Sequence, residues 1–312
     1  MEADLSRHLF HILQRELPVS GVPDHAYPYM AVTVDSLLSG VHFPVNTRPE
    51  WIAHKALAVN LSDLAAMGAM PQSVILGLVL PEWDDVWVTQ FVQGFHDLQS
   101  RWNIHFILGD VKAGPLSVTI QALGGLNKNS AMLRSAAQPN DFIFVTNTIG
   151  DAACALSYLM EDKMIPSPYK EFFEQRFNRP QPQIVAGLCL VDIANAAIDI
   201  SDGLASDLGH ILEKSRVGAI IDIDVLPAST ALQALVTDQQ RLIYQLSGGD
   251  DYELCFTVSP EKCDEMQKRM SEIQVNCTQI GKIVPGHEIC YQQNGKAINI
   301  EMHGYDHFKQ GN

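Results

Sequence analysis

The sequence has no long apolar run and no paired cysteine motif. Its apolar runs are short, and residues 74–80 fall far below the ~20 residues that a membrane-spanning helix needs. The six cysteines are scattered without a Cys-x-x-Cys spacing, which is typical of reduced thiols in a cytoplasmic protein. The N-terminus begins Met-Glu-Ala-Asp without a basic start, so neither a signal peptide nor a membrane partner is expected.

The common nucleotide-binding glycine motifs are also missing. The chain contains no Gly-x-x-x-x-Gly-Lys-Ser/Thr loop, no Gly-x-Gly-x-x-Gly, no His-Glu-x-x-His and no Gly-x-Ser-x-Gly. These absences argue against P-loop and protein-kinase phosphate binding, a zincin-type metal site and a hydrolase nucleophile. If the protein handles a nucleotide, it must bind the phosphates by other means.

Positive charge is scarce. Lysine and arginine number 21 against 36 aspartates and glutamates, which gives a net charge of −15 at pH 7. Such a surface repels a phosphate backbone, so nucleic acid is not an expected partner. A small anionic substrate would need cations to bridge it to the protein.

Length and composition indicate a folded chain of two domains. At about 150 residues per domain, a chain of 312 residues has room for two. Hydrophobic residues make up 46% and charged residues 18%, which excludes a disordered chain. A turn signal at Gln138-Pro139-Asn140 places the predicted boundary between domains 1–137 and 138–312.

Apolar periodicity predicts helices and strands in both halves. It predicts helices over residues 51–67, 86–102 and 184–197, and a strand buried on both faces over residues 73–80. Short apolar runs also predict strands over residues 142–146 and 254–258. The stretch 161–182 is polar and contains prolines, so it is predicted to form a surface excursion.

A recurring pattern is an apolar run that ends in an aspartate with small residues beside it. It occurs at Asp35, Asp110 and Asp199, and a related acidic pair follows the glycines at 248–249. Ligands gather at strand ends in α/β folds, and carboxylates that converge there can hold hard cations. The alternative is ordinary turn chemistry, because Asp and Gly are common in loops. Several such positions together favour a functional site.

Asp63 stands out within the predicted helix over 51–67. It lies four residues after Val59 and four before Met67, on the apolar stripe of that helix. A carboxylate on a buried face is strongly destabilising unless it is paired or binds a metal ion. A buried ion pair, for example with Lys55, remains open, but the surplus of acids favours a metal ion.

The triplet Ser201-Asp202-Gly203 precedes the helical apolar spacing of Leu204 and Leu208, which predicts a helix N-terminus. Ser and Asp at such a position cap free N–H groups. The same helix end can hold a phosphate or a metal-bound phosphate. From these residues alone the two interpretations are equally open.

Four segments resemble bacterial thiamine-monophosphate kinases, a family of the aminoimidazole-ribonucleotide-synthetase-like superfamily. They are residues 55–69 (KALAVNLSDLAAMGA), 198–208, 246–254 (LSGGDDYEL) and 304–308 (GYDHF). The first is shared in part with relatives of other activities, whereas its combination with the last two is specific to the kinases. The resemblance runs from about residue 31 to the C-terminus.

The resemblance implies an α+β fold, an α/β sandwich of two synthetase-like domains with mixed sheets covered by helices. It implies a homodimer whose N-terminal domains join their sheets. The implied reaction is the phosphorylation of thiamine monophosphate by ATP, which gives thiamine diphosphate. Several Mg²⁺ ions would be the cofactors and ATP the co-substrate.

Roles are carried over by motif, and none of them is a catalytic base. The implied Mg²⁺ ligands are Asp35, Asp63, Asp110, Asp199 and Asp202. The implied ATP-binding residues are Gly109, Asp110, Arg134 and Ser201. The implied contacts to the thiamine phosphate are His42, Asp250 and Tyr305.

The chain departs from the family's pattern near its N-terminus. Where the family has Gly-x-Gly-Asp-Asp-x-Ala, residues 21–26 read GVPDHA, so that His25 replaces a metal-binding acid. Histidine is a poor Mg²⁺ ligand, because hard cations favour oxygen. Two alternatives therefore stand beside the kinase: a binder of thiamine phosphate or nucleotide that has lost a metal site, and a superfamily relative that activates another substrate with ATP.

Overall fold

The chain folds into two compact units. The computed structural model describes residues 29–127, 131–161 and 163–300. Of these, the N-terminal unit contains residues 29–64, 69–127 and 178–182, and the C-terminal unit contains the rest. Each unit is built on one mixed β-sheet.

The N-terminal unit has a four-stranded sheet of order β1-β4-β2-β3, in which only the β2–β3 pair is parallel. Its elements in chain order are β1 (Tyr29–Leu38), α1 (Pro49–Ala66), β2 (Met70–Leu80), α2 (Asp85–Gln93), α3 (His96–Trp102), β3 (His105–Ala113) and β4 (Ser117–Leu126).

One face of this sheet covers the core of the unit. Exposure alternates along β1, where Ala31 and Leu37 are buried whereas Val32 and Val34 are exposed. Strand side chains point alternately to the two faces, so the outer face of β1 is apolar and accessible in this unit. Among the described residues, β1 is an edge strand of this sheet.

Helix α1 is buried on almost every side, so its apolar stripe does not mark a single core-facing surface. From Ile52 to Ala66 every residue is buried except Asp63, which keeps partial exposure. The small residues of this helix, such as Ala53, Ala58 and Ala65, allow close approach of its neighbours. The position at which α1 opens towards solvent is therefore the position of its carboxylate.

The helix predicted over residues 86–102 is two helices, α2 and α3. The chain leaves α2 at Gly94, whose N–H still bonds back to the Gln90 carbonyl. At Gly94 the main chain of Glu50 approaches so closely that a Cβ atom would lie 2.2 Å from its carbonyl oxygen. Only glycine allows this approach, and the apolar periodicity does not reveal it.

The C-terminal unit has a seven-stranded sheet of order β11-β10-β7-β9-β5-β8-β6, in which the β7–β10 pair is parallel. Its elements are β5 (Phe142–Thr146), α4 (Asp151–Met160), α5 (Ser167–Asn178), α6 (Ile184–Leu190), β6 (Ala196–Asp199), α7 (Leu204–Ser215), β7 (Gly218–Asp222), α8 (Thr230–Leu235), α9 (Asp238–Ser247), β8 (Leu254–Val258), α10 (Cys263–Glu272), β9 (Cys277–Val284), β10 (Ile289–Gln293) and β11 (Lys296–Ile298).

Helix α7 packs on this sheet through the spacing that the sequence predicts. Leu204, Leu208, Ile211 and Leu212 are all buried, and they belong to one core cluster with residues of β5 to β9. Residues 200–203 connect β6, at the edge of the sheet, to the first turn of this helix.

The stretch 161–182 is not merely a surface excursion, because it contains helix α5. Phe173 and Phe177 of that helix are fully buried in a second core cluster with residues of α4 and α8. Polar residues dominate the rest of α5, and two aromatic side chains four residues apart are enough to bury one face.

Asp35 and Asp110 lie inside strands rather than at strand ends. β1 continues past Asp35 to Leu38, and β3 continues past Asp110 to Ala113. Both are edge strands, where charged side chains are tolerated and strand pairing continues through them. Asp199, by contrast, does end its strand, β6.

No helix in the described ranges combines the length and apolar character needed to cross a bilayer.

Candidate functional site

Asp35 and Asp63 lie on the same side of the N-terminal sheet. The Asp63 carboxylate accepts a hydrogen bond from the hydroxyl group of Thr33 on β1. Asp35 follows two residues later, about 7 Å along the strand, and is half-buried on the same face as Thr33 and the buried Leu37. The inner face of β1 thus presents oxygen ligands next to the open position of α1.

Lys55 and His42 meet at the loop after β1. The Lys55 Nζ is 3.4 Å from the main-chain oxygen of His42. The His42 Nδ1 accepts the main-chain N–H of Leu38 at 3.0 Å, which orients the imidazole. A loop role for His42 is therefore visible, and its contact with a thiamine phosphate stays a prediction.

Asp110 lies on the other face of the same sheet. Across the sheet, Asp110 is in register with Gly77, Thr119 and Ser36, so these four residues lie on one face. Asp35 precedes Ser36 on β1 and therefore points to the opposite face. Its carboxylate is 3.4 Å from the Lys112 ammonium group, and both side chains are exposed. Within its unit, the structure does not bring Asp110 together with Asp35.

Gly109 has a structural reason to be glycine. The register of β2 against β3 shifts between Ile75 and Gly77, as in a β-bulge. A Cβ atom on Gly109 would lie 1.4 Å from the carbonyl oxygen of Leu76, so no side chain fits there. Its part in binding ATP stays a prediction.

In the C-terminal unit, Asp199, Ser201 and Asp202 lead from β6 into α7. The N-cap residue of α7 is Gly203, which makes no side-chain capping bond. Capping by Ser201 or Asp202 stays a prediction. Asp207, in the first turn of α7, reaches back to this loop: its Oδ2 accepts the main-chain N–H groups of Ser201 and Asp202 at 2.9 Å each. Asp199 is buried at the end of β6.

Asp207 is held in an unusual electrostatic state. Burial raises the pKa of its carboxyl to about 7, although the two main-chain N–H donors and the charge of Arg134 act in the opposite direction. Asp207 therefore supports the 201–202 loop as a buried acceptor. The sequence signal for it was an acid in the first turn of a helix.

Replacing Asp207 by alanine is expected to lower the free energy of unfolding by about 1–2 kcal/mol, because two main-chain N–H groups lose their acceptor. Urea denaturation measures this change. Glu213→Ala, at an exposed position of the same helix, is the matched control and should leave stability close to that of the wild type. Equal stability of the two variants would contradict the assigned role of Asp207.

A second segment, residues 247–252, lies against the 201–202 loop. The Asp250 N–H donates to the Ser201 carbonyl and the Tyr252 N–H to the Ile200 carbonyl, each at 2.9 Å. Gly249 approaches so closely that a Cβ atom would lie 2.1 Å from the Ser201 oxygen. The structure thus brings Asp250 next to Ser201, and their part in one binding site stays a prediction.

The backbone of this segment is strained. Asp250 and Tyr252 have positive φ angles of 66° and 53°, a conformation that non-glycine residues adopt infrequently. The Tyr252 hydroxyl donates to the Asp250 Oδ1 at 2.9 Å, which fixes both side chains. Strain of this kind clusters at binding sites, where surrounding contacts hold it in place.

Arg134 and Tyr305 complete the predicted set. The carbonyl of Arg134 accepts the Ser215 hydroxyl at 2.8 Å, and its exposed guanidinium acts electrostatically on Asp207. The main chain of Arg134 therefore lies at the C-terminal end of α7, and its part in binding ATP stays a prediction. Tyr305 and the His25 region lie outside the described residues.

The donor set fits the chemistry of Mg²⁺. All five predicted ligands are carboxylates, and Mg²⁺ takes oxygen ligands. In the part of the chain that the structure describes, no three His, Cys, Asp or Glu side chains are close enough to hold a metal ion by themselves. A Mg²⁺ site in a protein usually has one or two carboxylates, completed by water and substrate phosphates. The Mg²⁺ ligands stay a prediction.

Comparison with known proteins decides the family. Residues 23–126 match the family described as AIR synthase related protein, N-terminal domain, and residues 138–291 match its C-terminal domain. The chain is 42% identical over 288 residues to the thiamine-monophosphate kinase of Haemophilus influenzae, covering 90% of this chain and 87% of that protein. The chain belongs to the thiamine-monophosphate kinase family. The predicted family is therefore confirmed.

Solved structures of similar proteins share the fold. The thiamine-monophosphate kinase from Stenotrophomonas maltophilia K279a superposes with a TM-score of 0.83 at 39% identity, covering 95% of this chain and 96% of that one. The structure of AaThiL complexed with AMPPCP and TMP has a TM-score of 0.78 at 27% identity, covering 98% and 96%. The predicted fold class, two domains of mixed sheets with helices, is confirmed.

Proposed function

We propose that this protein transfers the terminal phosphoryl group of ATP to the phosphate of thiamine monophosphate, giving thiamine diphosphate. The observation that carries the proposal is 42% identity over 90% of the chain to a thiamine-monophosphate kinase. The pairing of the 247–252 segment with the 199–202 loop supports it, because the predicted acceptor and nucleotide residues are then neighbours.

The acceptor chemistry explains why no catalytic base is needed. The phosphate of thiamine monophosphate is already an anion, with a second pKa of about 6. The main obstacle is the repulsion between two phosphate groups. Bound Mg²⁺ would neutralise charge on the transferred group. The residues proposed to hold the several Mg²⁺ ions are Asp35, Asp63 and Asp110 of the N-terminal unit, and Asp199 and Asp202 of the C-terminal unit.

The remaining predicted residues bind and orient the two anions. For ATP these are Gly109, Arg134 and Ser201, of which Arg134 supplies positive charge in an acidic protein. For the thiamine phosphate they are His42, Asp250 and Tyr305. A carboxylate such as Asp250 suits the cationic thiazolium ring of thiamine.

An acceptor panel tests the function. The purified protein is incubated with ATP and Mg²⁺ and with thiamine, thiamine monophosphate or thiamine diphosphate, and the products are separated by chromatography. Product from thiamine monophosphate alone supports the proposal. Tight binding of thiamine monophosphate without product, at high protein concentration, would favour the non-catalytic binder.

We also propose a homodimer formed through the N-terminal sheet. Tyr29, Val32, Val34 and Leu38 are exposed apolar residues on β1, which is an edge strand. Exposed apolar edges of this kind are usually covered by a partner. A second copy of β1 beside this edge would join the two sheets and cover these side chains.

Replacing Val34 by lysine is expected to weaken the dimer strongly, since each copy would bring an unpaired charge into the interface. Sedimentation should give twice the 34.5 kDa chain mass for the wild type and the chain mass for the variant. Ile243→Lys, at an exposed apolar position of α9, is the matched control and should remain dimeric. A dimeric Val34→Lys variant, or a monomeric wild type, would contradict this assembly.

A cytoplasmic location is proposed with the same function. All six cysteines fall within the described residues, and all carry free thiols. Free thiols persist in a reducing compartment.

A further inference from the structure

A buried ionic cluster lies behind the 247–252 segment. The carboxylates of Asp151, Asp251 and Glu253 are each at most 1% exposed, and they surround the guanidinium of Arg176 on α5. The Arg176 Nη1 is 3.1 Å from Glu253, the Nε is 3.4 Å from Asp151, and the Nη2 is 3.9 Å from Asp251. One cation therefore faces three acids.

The cluster connects two stretches of chain. Asp251 accepts the main-chain N–H of Gly150 at 2.6 Å, at the start of α4. Glu253 accepts the hydroxyl of Thr146 at 2.7 Å, at the end of β5. Arg176 itself donates to the Thr148 carbonyl at 2.7 Å. The guanidinium thus joins the β5–α4 turn to residues 251–253.

These contacts hold the strained backbone of the proposed acceptor site. Asp251 lies between Asp250 and Tyr252, the two residues with positive φ. The side chains of Asp251 and Glu253 belong to the ionic cluster. The main-chain N–H groups of Asp250 and Tyr252 bond on the other side to residues 200–201. Anchoring from the cluster side therefore fixes how Asp250 is presented.

Electrostatics make Arg176 the key member. Burial alone would lower the pKa of its guanidinium, but Glu253, Asp251 and Asp151 raise it above the usual value. Burial raises the pKa of the Asp251 carboxyl to about 8, although Arg176 opposes this rise. Without the guanidinium, three buried acids would face one another, and the segment that carries Asp251 and Glu253 would shift.

We propose that Arg176 is a positioning residue for the phosphate acceptor: it fixes residues 250–253 from behind, and so sets the affinity for thiamine monophosphate without touching it. This inference rests on the proposed kinase activity. It concerns the acceptor half of the site, so the affinity for ATP should be nearly independent of Arg176.

The test is steady-state kinetics of Arg176→Gln and Arg176→Lys beside the wild type. For Arg176→Gln the KM for thiamine monophosphate is expected to rise about tenfold or more, because a misplaced contact group is costly. The KM for ATP should stay within about threefold. Arg176→Lys keeps one positive charge but cannot span three carboxylates, so its acceptor KM should lie in between. Lys170→Gln, exposed on the same helix, is the matched control.

A pH profile separates positioning from a merely structural role. Wild-type acceptor KM should rise above about pH 8, where Asp251 loses its proton and the cluster gains a buried negative charge. The charged groups that face the Asp251 carboxyl are Arg176, Asp151 and Glu253. The thiols of Cys154 and Cys277 also lie near the cluster, and burial raises the pKa of both thiols to about 12. Asp251→Asn should remove the rise.

The outcomes are distinct. If the wild type makes no thiamine diphosphate, the kinase proposal fails and this inference fails with it. If the wild type is active and folded Arg176 variants keep the wild-type acceptor KM, only the inference on Arg176 is overturned. Should Arg176→Gln not fold, as judged by circular dichroism, Arg176→Lys decides by the same criterion. Equal rises in both KM values would also overturn it, since they indicate general damage.

Discussion

Replacing Asp199 by asparagine is expected to lower kcat for thiamine diphosphate formation by about 10²–10³-fold, the usual loss when one preorganised electrostatic contact is removed. Asp199 is buried at the end of β6, beside the loop that carries Ser201 and Asp202. Asparagine keeps the shape of the side chain but removes the charge that a metal ion would need. The rate at saturating ATP and acceptor measures the effect.

Asp192→Asn is the matched control for this prediction. Asp192 is exposed on the preceding turn with a positive φ of 65°, which asparagine also tolerates. Its kcat should equal that of the wild type. A higher Mg²⁺ requirement in Asp199→Asn would add support, whereas a kcat within threefold of the wild type would contradict a metal role for Asp199.

Replacing Gly249 by alanine is expected to lower kcat/KM for thiamine monophosphate by about 10²-fold, because a misplacement of about 1 Å at a reacting site has that effect. The added Cβ would lie 2.1 Å from the Ser201 carbonyl oxygen, well inside contact distance. The neighbour is main chain and cannot rotate away, so the 247–252 segment and the 201–202 loop must separate.

Gly209→Ala provides the control for Gly249→Ala. Gly209 lies in α7, and a Cβ atom there would meet nothing within 4 Å. Alanine in a helix interior is favoured over glycine by about 1 kcal/mol, so this variant should be fully active and slightly more stable. Full activity of Gly249→Ala would show that the two segments do not need their close approach.

The local sequence pattern predicts those strands whose buried residues follow one another in a short apolar run. The strands at 142–146 and 254–258 agree with β5 and β8, because short apolar runs bounded by turns are distinctive. The helix predicted over 184–197 ends at Leu190 and gives way to β6, since an apolar run does not by itself distinguish helix from strand. Long-range pairing with β8 decides it.

The sequence reveals the acidic residues of the candidate site, but not the residues that hold its loops in place. Asp63 was found for its place on an apolar helix, and the structure shows that it is where α1 opens. Asp207 shows in the sequence only as an acid in the first turn of a helix. Arg176 contacts Glu253, which lies 77 residues along the chain, so spacing could not reveal it. The exposed position of Asp110 depends on the strand register and its bulge, which no local pattern encodes.

Transfer of labelled phosphate from ATP to thiamine monophosphate is the direct test of the proposed kinase activity. The purified protein is given ATP labelled with ³²P at the terminal phosphate, together with thiamine monophosphate, with Mg²⁺ or with excess EDTA. A Mg²⁺-dependent kinase should place the label in thiamine diphosphate when Mg²⁺ is present, and should transfer none with EDTA. Label that stays in ATP or appears only as inorganic phosphate, in a folded protein with Mg²⁺ present, would contradict it.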